Sequence, residues 1–304
     1  MDLSVVLTTF QRPELLAETL ASFEQLDVDG LRWEVLVVDN TGGDAGTRAV
    51  AERFAARLPL RLLLEPARGM NRARNRAIDH AQGALVVFTD DDVAPQPDWL
   101  TELRRGVERW PKTQVFGGRV LPCWPADGRA PAPHALSENA YAIADWNLSE
   151  GPYSAHRVFG HNMAYRASVF EGGRRFDPRF GPDGTDTYIT GAETSLNVEL
   201  ERTGAPPVYL PRAVVHHRVR REQLQPAWLY KRAFRLGRWE AHLAGLSRRP
   251  WRPLLRLLLD LRRASVTFTA TQAANDPEAT LEAGLAYWQL RGAWYQWRRG
   301  RSCS

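Results

Sequence analysis

Residues 84–93 read ALVVFTDDDV, and this stretch decides the fold. Residues 84–88 are a continuous, β-prone apolar run, which predicts a strand buried on both faces of a sheet. Asp90, Asp91 and Asp92 follow at its carboxyl end, where open α/β sheets bind their ligands. Because adjacent like charges repel one another unless a cation lies among them, the stretch predicts a Mg²⁺ or Mn²⁺ ion shared with a diphosphate. The alternative is a solvated turn, since aspartate is common in turns.

The chain before this stretch alternates strands with helices. Apolar runs at residues 3–9, 33–38 and 60–64 predict strands, and helices are predicted between them and over residues 69–81. The short connections predict an α/β fold with a doubly wound, mostly parallel sheet. The strand tips then share one edge, which carries Thr8, Thr9, Asp39, Asn40 and the three aspartates.

The rest of the chain is less regular up to residue 221 and helical beyond it. The elements predicted up to residue 221 are helices over 95–110 and 190–203 and strands over 114–120, 158–166, 208–210 and 213–217. Residues 122–153 contain five prolines and predict a long irregular loop. From residue 222 the predicted features are Arg- and Trp-rich helices, breaks at Pro250 and Pro253, an apolar helix over 254–263 and a capped helix start at 275–278.

Composition narrows the class of protein. The 304 residues are 44% hydrophobic and 25% charged, as in ordinary globular proteins. Cys123 and Cys303 lie far apart and suggest neither a disulfide framework nor a CxxC metal site, so we expect a reducing compartment. No basic segment precedes the first strand and no apolar stretch reaches the length of a membrane span, so we expect a cytoplasmic protein. The net charge of +5 suggests nucleic acid as a partner, but the acidic strand tip would repel a phosphate chain, so we expect none.

The first strand ends without a glycine-rich phosphate loop. Residues 8–13 read TTFQRP, where a dinucleotide-binding fold would carry GxGxxG, and a Walker loop is absent from the sequence as well. A nucleotide would therefore be held by carboxylates, a cation and arginines.

At this point the residues resemble a family-2 glycosyltransferase of the GT-A fold. The resemblance covers residues 1 to about 240 and rests on seven short segments that occur in order: 4–9, 37–40, Gly69 with 73–75, 88–92, 160–166, 191–194 and 214–217. It implies an inverting transfer of a sugar from a nucleotide-diphosphate donor to an acceptor hydroxyl.

The resemblance also implies roles for individual residues. Asp39 would accept a hydrogen bond from the nucleobase, Thr8 and Thr9 would lie against the nucleoside, and Arg74 would face the diphosphate or the base. Asp90 and Asp91 would contact the donor, with Asp90 near the ribose, and Asp92 would bind Mn²⁺ or Mg²⁺. The alternatives are a turn or N-cap role for Asp39 and a solvated helix face for Arg74.

Glu193 is the predicted general base. The family carries Glu-Asp after a glycine, and alignment on Gly191 places Ala192 at the Glu position and Glu193 at the Asp position. The alternative is a first-turn glutamate that complements the helix dipole.

His216 and His217 are candidate metal ligands on a strand. Because neighbouring strand residues point to opposite faces, one of the two can reach the metal, and we favour His217. The alternative for each is a strand-end histidine bonded to a protein partner. Asn162, in the polar insertion of its strand, is a candidate contact to the acceptor or the donor sugar, unless it is a turn asparagine bonded to its own backbone.

The hypothesis also divides the chain into domains and names the acceptor. Residues 1–221 form the predicted catalytic domain, with a donor half (1–120) and an acceptor half (121–221), and residues 222–304 form a helical region. The acceptor is a sugar, a lipid-linked molecule or another hydroxyl compound, and Trp124, Trp146 and Tyr153 either stack on a sugar or pack internally.

Alternatives stay open for the role of the Trp- and Arg-rich helical region and for the function of the protein. Trp228, Trp239 and Trp251 among arginines 232, 235, 238 and 252 suggest either peripheral contact with the inner face of a membrane or a Trp-filled core with an arginine exterior. The rival functions are a non-catalytic sugar-nucleotide or glycan binder and a nucleotidyltransferase.

Overall fold

The computed structural model describes residues 1–126, 128, 140–245 and 251–301. Pro131, Pro133, Pro250 and Cys303 lie outside the described residues, as do the side chains of Trp251 and Arg252. The chain forms two compact units. The first comprises Met1–Cys123, Tyr141–Gly184 and Ala192–Val219, and the second comprises Trp124–Ala140, Thr185–Gly191 and Arg220–Ser304.

The first unit is built on one mixed sheet flanked by helices. Its strands are β1 (Leu3–Thr9), β2 (Trp33–Asp39), β3 (Leu60–Leu64), β4 (Leu85–Asp90), β5 (Val93–Pro95), β6 (Val115–Cys123), β7 (Gly151–Pro152), β8 (Met163–Arg166) and β9 (Val208–Arg218). Its α-helices are α1 (Pro13–Phe23), α2 (Ala45–Ala55), α3 (Met70–Ile78), α4 (Trp99–Arg109) and α5 (Thr194–Arg202). The strand order is β3-β2-β1-β4-β8-β6-β9-β5, with β7 paired to β9.

The predicted parallel half of the sheet is present. Strands β3, β2, β1 and β4 are all parallel neighbours, and β8 joins β4 in the antiparallel sense. The continuous apolar runs of these strands arise because both faces are covered. In β1, Leu3, Val5 and Leu7 enter one hydrophobic core and Val6 enters the other.

Three predicted elements differ from the structure. Residues 93–95 form β5, so the helix predicted from residue 95 begins at Trp99. The strand predicted over 158–166 is a 3₁₀ turn, Gly160–Asn162, followed by the short β8. The two short strands predicted over 208–217 are one strand, β9, whose pairing with β6 shifts register between Gly118 and Arg119.

A polar cluster lies at the amino ends of the parallel strands, and it is buried except for the Arg61 side chain, which is 41% exposed. We call Ser4, Glu34 and Arg61, with the backbone amides of Gln82 and Gly83, the base cluster. Glu34 accepts hydrogen bonds from the Ser4 hydroxyl (2.6 Å), the Gln82 amide (2.9 Å) and the Arg61 guanidinium (2.8 Å). Ser4 accepts from both backbone amides. Each carboxylate and hydroxyl oxygen of the cluster therefore has a partner.

The second unit contains three long helices. They are α6 (Pro226–Leu243), α7 (Trp251–Ala273) and α8 (Pro277–Arg301). Helices α6 and α8 approach closely because Gly237 lies against the carbonyl of Gln289 and Gly292 against that of Phe234. Helix α7 extends beyond both ends of the predicted 254–263 segment. It can include Pro253 because this residue lies in the first turn, where the missing N–H has no helical acceptor. Within residues 1–126, 128, 140–245 and 251–301, no helix has both the length and the apolar character needed to cross a membrane.

Candidate active site

The strand tips lie side by side as the sequence predicts. Thr8 of β1 is in register with Asp90 of β4, and Thr9 is in register with Asp39 of β2. These side chains are nearly buried, with exposed fractions of 8% for Thr8 and Asp90 and 1% for Asp39. The parallel register therefore gathers the predicted donor-binding residues at one edge.

Asp91 is buried beneath this edge. Its carboxylate accepts a hydrogen bond from Thr9 (2.7 Å) and pairs with the Arg12 guanidinium (2.7 Å), which also lies 3.3 Å from Asp92. Burial raises the pKa of Asp91 to about 7, although Arg12 opposes the shift. Its side chain is fully buried and paired within the protein, and its contact with the donor stays a prediction.

Asp92, His161 and His217 bring together one carboxylate and two imidazoles. Their ligand atoms lie within 4.8 Å of one another, and His161 is also 3.4 Å from Asp90. Burial alone would raise the pKa of Asp92, but His217, His161 and Arg12 outweigh it and lower this pKa below its ordinary value. The cluster therefore presents an ionised carboxylate beside two imidazoles, a donor set that suits a divalent cation.

A backbone carbonyl fixes the orientation of His217. Nδ1 of His217 lies 2.9 Å from the carbonyl oxygen of Tyr141. Since a carbonyl only accepts hydrogen bonds, Nδ1 carries a proton, and Nε2 is the ring nitrogen that faces Asp92, 3.8 Å away. Metal-binding histidines are characteristically held in this way.

The histidines differ from the prediction in one respect. His216, half-buried, is not part of the cluster found among the described residues, in keeping with the alternation of β9. His161 is part of it, and sequence reasoning missed this residue. The signal was present, because His161 lies inside the segment 160–166 that carries the resemblance, but Asn162 was chosen from that segment.

Arg74 connects the donor edge to the predicted base. Its guanidinium is 2% exposed and lies 3.8 Å from Asp90 and 3.7 Å from Glu193, which precedes the first residue of α5. Nη1 of Arg74 and Oδ1 of Asp90 are buried and make no hydrogen bond within the described residues. Buried polar atoms normally have partners, so these two are available to a ligand. We call Asp90, Asp92, Arg74, His161, Glu193 and His217 the tip cluster.

A cavity of about 280 Å³ opens beside the tips of β1 and β2. Its lining includes Thr8, Thr9, Asn40 and Arg68, and Arg68 stacks over the Phe10 ring at 5.4 Å. Asp39 is not among the lining residues. Its carboxylate accepts from the Thr41 amide, the Thr41 hydroxyl and the Asp44 amide, which uses three of about four acceptor positions. The turn role weighed for Asp39 is therefore present, and one acceptor position is left for a base.

Asn162 is committed to internal hydrogen bonds. Its amide donates to the carbonyls of Arg119 (2.9 Å) and Ala213 (2.8 Å), and its oxygen accepts from the Trp99 indole (2.9 Å). Arg119 adjoins the register shift between β6 and β9, and Ala213 lies in the segment of β9 that the shift leaves out of register, where the ladder is interrupted. These bonds hold the side chain against an irregular part of the sheet, and its contact with the acceptor or the donor sugar stays a prediction.

The aromatic residues of the long loop pack internally where the structure describes them. Trp146 lies 6.2 Å from the Tyr153 ring and 5.7 Å from the Tyr209 ring. Trp124 is half-buried in the second unit, and its contact with a sugar stays a prediction.

Sequence comparisons agree with this geometry. The model of one protein family, described as Glycosyl transferase family 2, matches residues 4–174. The chain is 28% identical over 252 residues to the succinoglycan biosynthesis protein ExoM of Rhizobium meliloti, covering 80% of this chain and 75% of that protein. It is also 28% identical over 191 residues to the glycosyltransferase AglE of Haloferax volcanii, covering 56% of this chain and 62% of AglE.

Solved structures of similar fold include two with nucleotide-sugars. The mannosyltransferase PcManGT from Pyrobaculum calidifontis, in complex with GDP-Man and Mn²⁺, has a TM-score of 0.62 at 22% identity, covering 97% of this chain and 86% of that one. Residues 1–349 of TarS from S. aureus, in complex with UDP-GlcNAc, give 0.54 at 16% identity, covering 77% and 65%. At these identities the likeness concerns the fold, and it confirms the predicted GT-A class.

Proposed function

We propose that this chain, which belongs to glycosyl transferase family 2 and is therefore a glycosyltransferase, moves a sugar with inversion from a nucleotide-diphosphate donor to an acceptor hydroxyl. The observation that carries the proposal is the placement of Arg74, buried between Asp90 of the donor edge and Glu193. A buried cation with an unused donor atom between two carboxylates suits a phosphorylated ligand that meets a proton acceptor.

Asp92, His161 and His217 would hold a divalent cation. The sequence predicts Mn²⁺ or Mg²⁺, and two imidazoles beside one carboxylate favour Mn²⁺, because Mg²⁺ prefers oxygen ligands. When bound, the cation would stabilise the negative charge of the departing diphosphate.

The remaining residues of the site would have separate roles. Thr8, Thr9 and Asp39 would position the nucleoside, and Asp90 would approach the ribose. Arg74 would donate Nη1 to the diphosphate or the base. Glu193 would take the proton of the acceptor hydroxyl as it attacks the sugar carbon, so that the new bond forms on the face opposite the departing diphosphate.

The similar proteins support a role in glycan assembly. ExoM is named for succinoglycan biosynthesis, and the structural neighbours hold GDP-Man or UDP-GlcNAc. We propose a nucleotide-sugar donor and a growing polysaccharide, glycan or glycolipid as acceptor. We also propose that residues 1–120 serve the donor, that residues 121–221 serve the acceptor, and that transfer takes place in the cytoplasm.

Glu193→Gln is the test of this function. We expect transfer to fall by about a thousandfold, the size of a general-base contribution, while donor affinity in the presence of Mn²⁺ is retained. The matched control is Glu199→Gln on the same helix, whose side chain is 60% exposed and pairs with Arg174. Wild-type turnover in Glu193→Gln, measured with a panel of nucleotide-sugars, would remove Glu193 from the mechanism.

A further inference from the structure

The outward face of α7 carries an apolar stripe. Leu255, Leu258, Leu259 and Val266 have exposed fractions of 51%, 41%, 50% and 65%. The spacing from Leu255 to Leu259 and Val266 places them along one side of the helix, over roughly 17 Å at 1.5 Å per residue, and the exposed Arg262 lies on the same side between Leu259 and Val266. Half of the large hydrophobic residues found exposed in the described chain lie on this helix. Grouped exposed apolar residues mark an interaction surface.

The opposite face of the same helix packs against the other helices of the second unit. Leu257 is buried, and the ring of Phe268 lies 5.6 Å from the rings of both Tyr230 of α6 and Tyr287 of α8. The inward face thus supplies the packing that holds α7 in the second unit. The outward stripe is extra to that packing, because a helix that served only the bundle would be polar there.

Arginines border the stripe. Arg256 and Arg263 have side chains 87% and 82% exposed, and their nearest carboxylate, Asp260, is 3.9 Å and 4.0 Å away, a spacing at which exposed pairs are weak. Residues 226–301 contain fourteen Lys and Arg against five Asp and Glu, whereas the other residues contain 26 against 30. The positive charge of the chain is therefore concentrated in the segment that presents the stripe.

We propose that α7 docks flat on an anionic lipid bilayer, with the stripe in the acyl boundary and the arginines among the headgroups. Apolar side chains flanked by long cationic ones are suited to this interface, because arginine stems lie along the apolar boundary while their charges meet anionic lipid. A second copy of the chain is a poorer occupant, since it would bring two arginine rows of the same sign together.

This surface differs from the one that the sequence suggests. Trp239, Arg235 and Arg238 are buried in the second unit, with exposed fractions of 6%, 8% and 6%, so Trp239 fits the alternative of a Trp-filled core and none of the three presents an exposed side chain to a membrane. The membrane face is instead the leucine stripe of α7. Docking would bring the enzyme to lipid-linked acceptors, a consequence that rests on the proposed transfer reaction.

Vesicle flotation of the full-length protein tests the proposal. We expect binding at low salt to vesicles of phosphatidylcholine mixed with phosphatidylglycerol, and little binding to phosphatidylcholine alone. The double variant Leu255→Glu/Leu259→Glu should bind the anionic vesicles at least about tenfold more weakly, since it loses two apolar anchors and adds two negative charges. Arg256→Gln and Arg263→Gln should each weaken binding about fivefold.

The matched control is Leu64→Glu/Leu148→Glu, which changes two leucines of the first unit that are 37% and 39% exposed. It should float like the wild type. Transfer to a soluble acceptor should be unchanged in Leu255→Glu/Leu259→Glu, so failure of docking and failure of the transfer hypothesis are separable. Absence of flotation by the wild type, or equal flotation by the stripe variant, would overturn the proposal. So would a dimer that does not float and that the stripe variant converts to a monomer, because the occupant would then be a second copy.

Discussion

The two polar clusters of the first unit lie at opposite ends of the same parallel strands. In the base cluster, Ser4 and Glu34 have partners for each side-chain oxygen. In the tip cluster, Nη1 of Arg74 and Oδ1 of Asp90 make no hydrogen bond among the described residues and have only ion-pair neighbours at 3.7 Å and 3.8 Å. Both clusters are centred on buried polar residues, Glu34 in one and Arg74 in the other, so burial alone does not distinguish a structural network from a functional site.

Hydrogen-bond saturation does distinguish them. A saturated network stabilises the fold, and its loss leaves buried groups unpaired. A network with unused donors and acceptors leaves room for a ligand to complete it. Changes in the base cluster should therefore lower the free energy of unfolding, and changes in the tip cluster should lower ligand affinity.

Glu34→Ala should have the largest effect. It leaves the Ser4 hydroxyl without an acceptor, takes one of two acceptors from the Gln82 amide and opens a cavity at a buried position, so we expect the free energy of unfolding to fall by about 3 kcal/mol, with Mn²⁺ affinity unchanged. Urea denaturation measures it, with Glu52→Ala on the exposed face of α2 as the control. A loss no greater than that of the control would show that saturation is a poor guide to stability here.

His217→Ala should come next. We expect Mn²⁺ affinity, measured by calorimetric titration, to fall by about a hundredfold or more, because one of three candidate ligands is lost. His216→Ala is the matched control and should bind like the wild type. Equal losses in both variants would contradict the placement of the metal on one face of β9.

Asn162→Ala tests whether this side chain contacts the acceptor or only supports the fold. Although this residue lies near the tip cluster, its amide is saturated, so it should behave as part of the scaffold. We expect a loss of about 2 kcal/mol in the free energy of unfolding and an unchanged KM for the acceptor. A stable variant with a raised KM would return Asn162 to the role that the sequence suggests.

Arg74→Lys should have the smallest effect of the four. The charge between Asp90 and Glu193 is kept, but the planar donor fork is lost, so donor affinity should fall about tenfold while the free energy of unfolding changes little. Arg76→Lys, on the exposed side of α3, is the control. If Arg74→Lys unfolds more readily and binds donor normally, Arg74 belongs with the scaffold.

The strand tips could be predicted because each strand is a continuous apolar run in the sequence. The apolar runs that end at Thr9, Asp39 and Asp90 are buried on both faces, so their ends and their common edge follow from the pattern. The family was equally accessible, since its segments occur in order along the first 217 residues.

The positions of His161 and Arg12 could not be predicted from the sequence, because both depend on local backbone geometry. A strand with a polar insertion was predicted over residues 158–166, but Gly160–Asn162 form a 3₁₀ turn, which places His161 beside Asp92 and His217. The partnership of Arg12 with Asp91 depends on the turn after β1, where Gln11 has φ of 53°. The base cluster had a usable signal: Ser4 and Glu34 are polar residues at matching positions of two adjacent apolar strands, and the parallel register pairs them.

The acceptor that orients His217 is a main-chain carbonyl, that of Tyr141. Every amino acid supplies that oxygen, so substitutions at position 141 leave the imidazole tautomer intact as long as the backbone keeps its path. A change in the length of the chain before residue 141 would move the carbonyl and release the ring. During divergence, insertions and deletions in this neighbourhood are thus expected to be selected against more strongly than point changes, and library designs that vary residue identity while preserving spacing should retain metal binding.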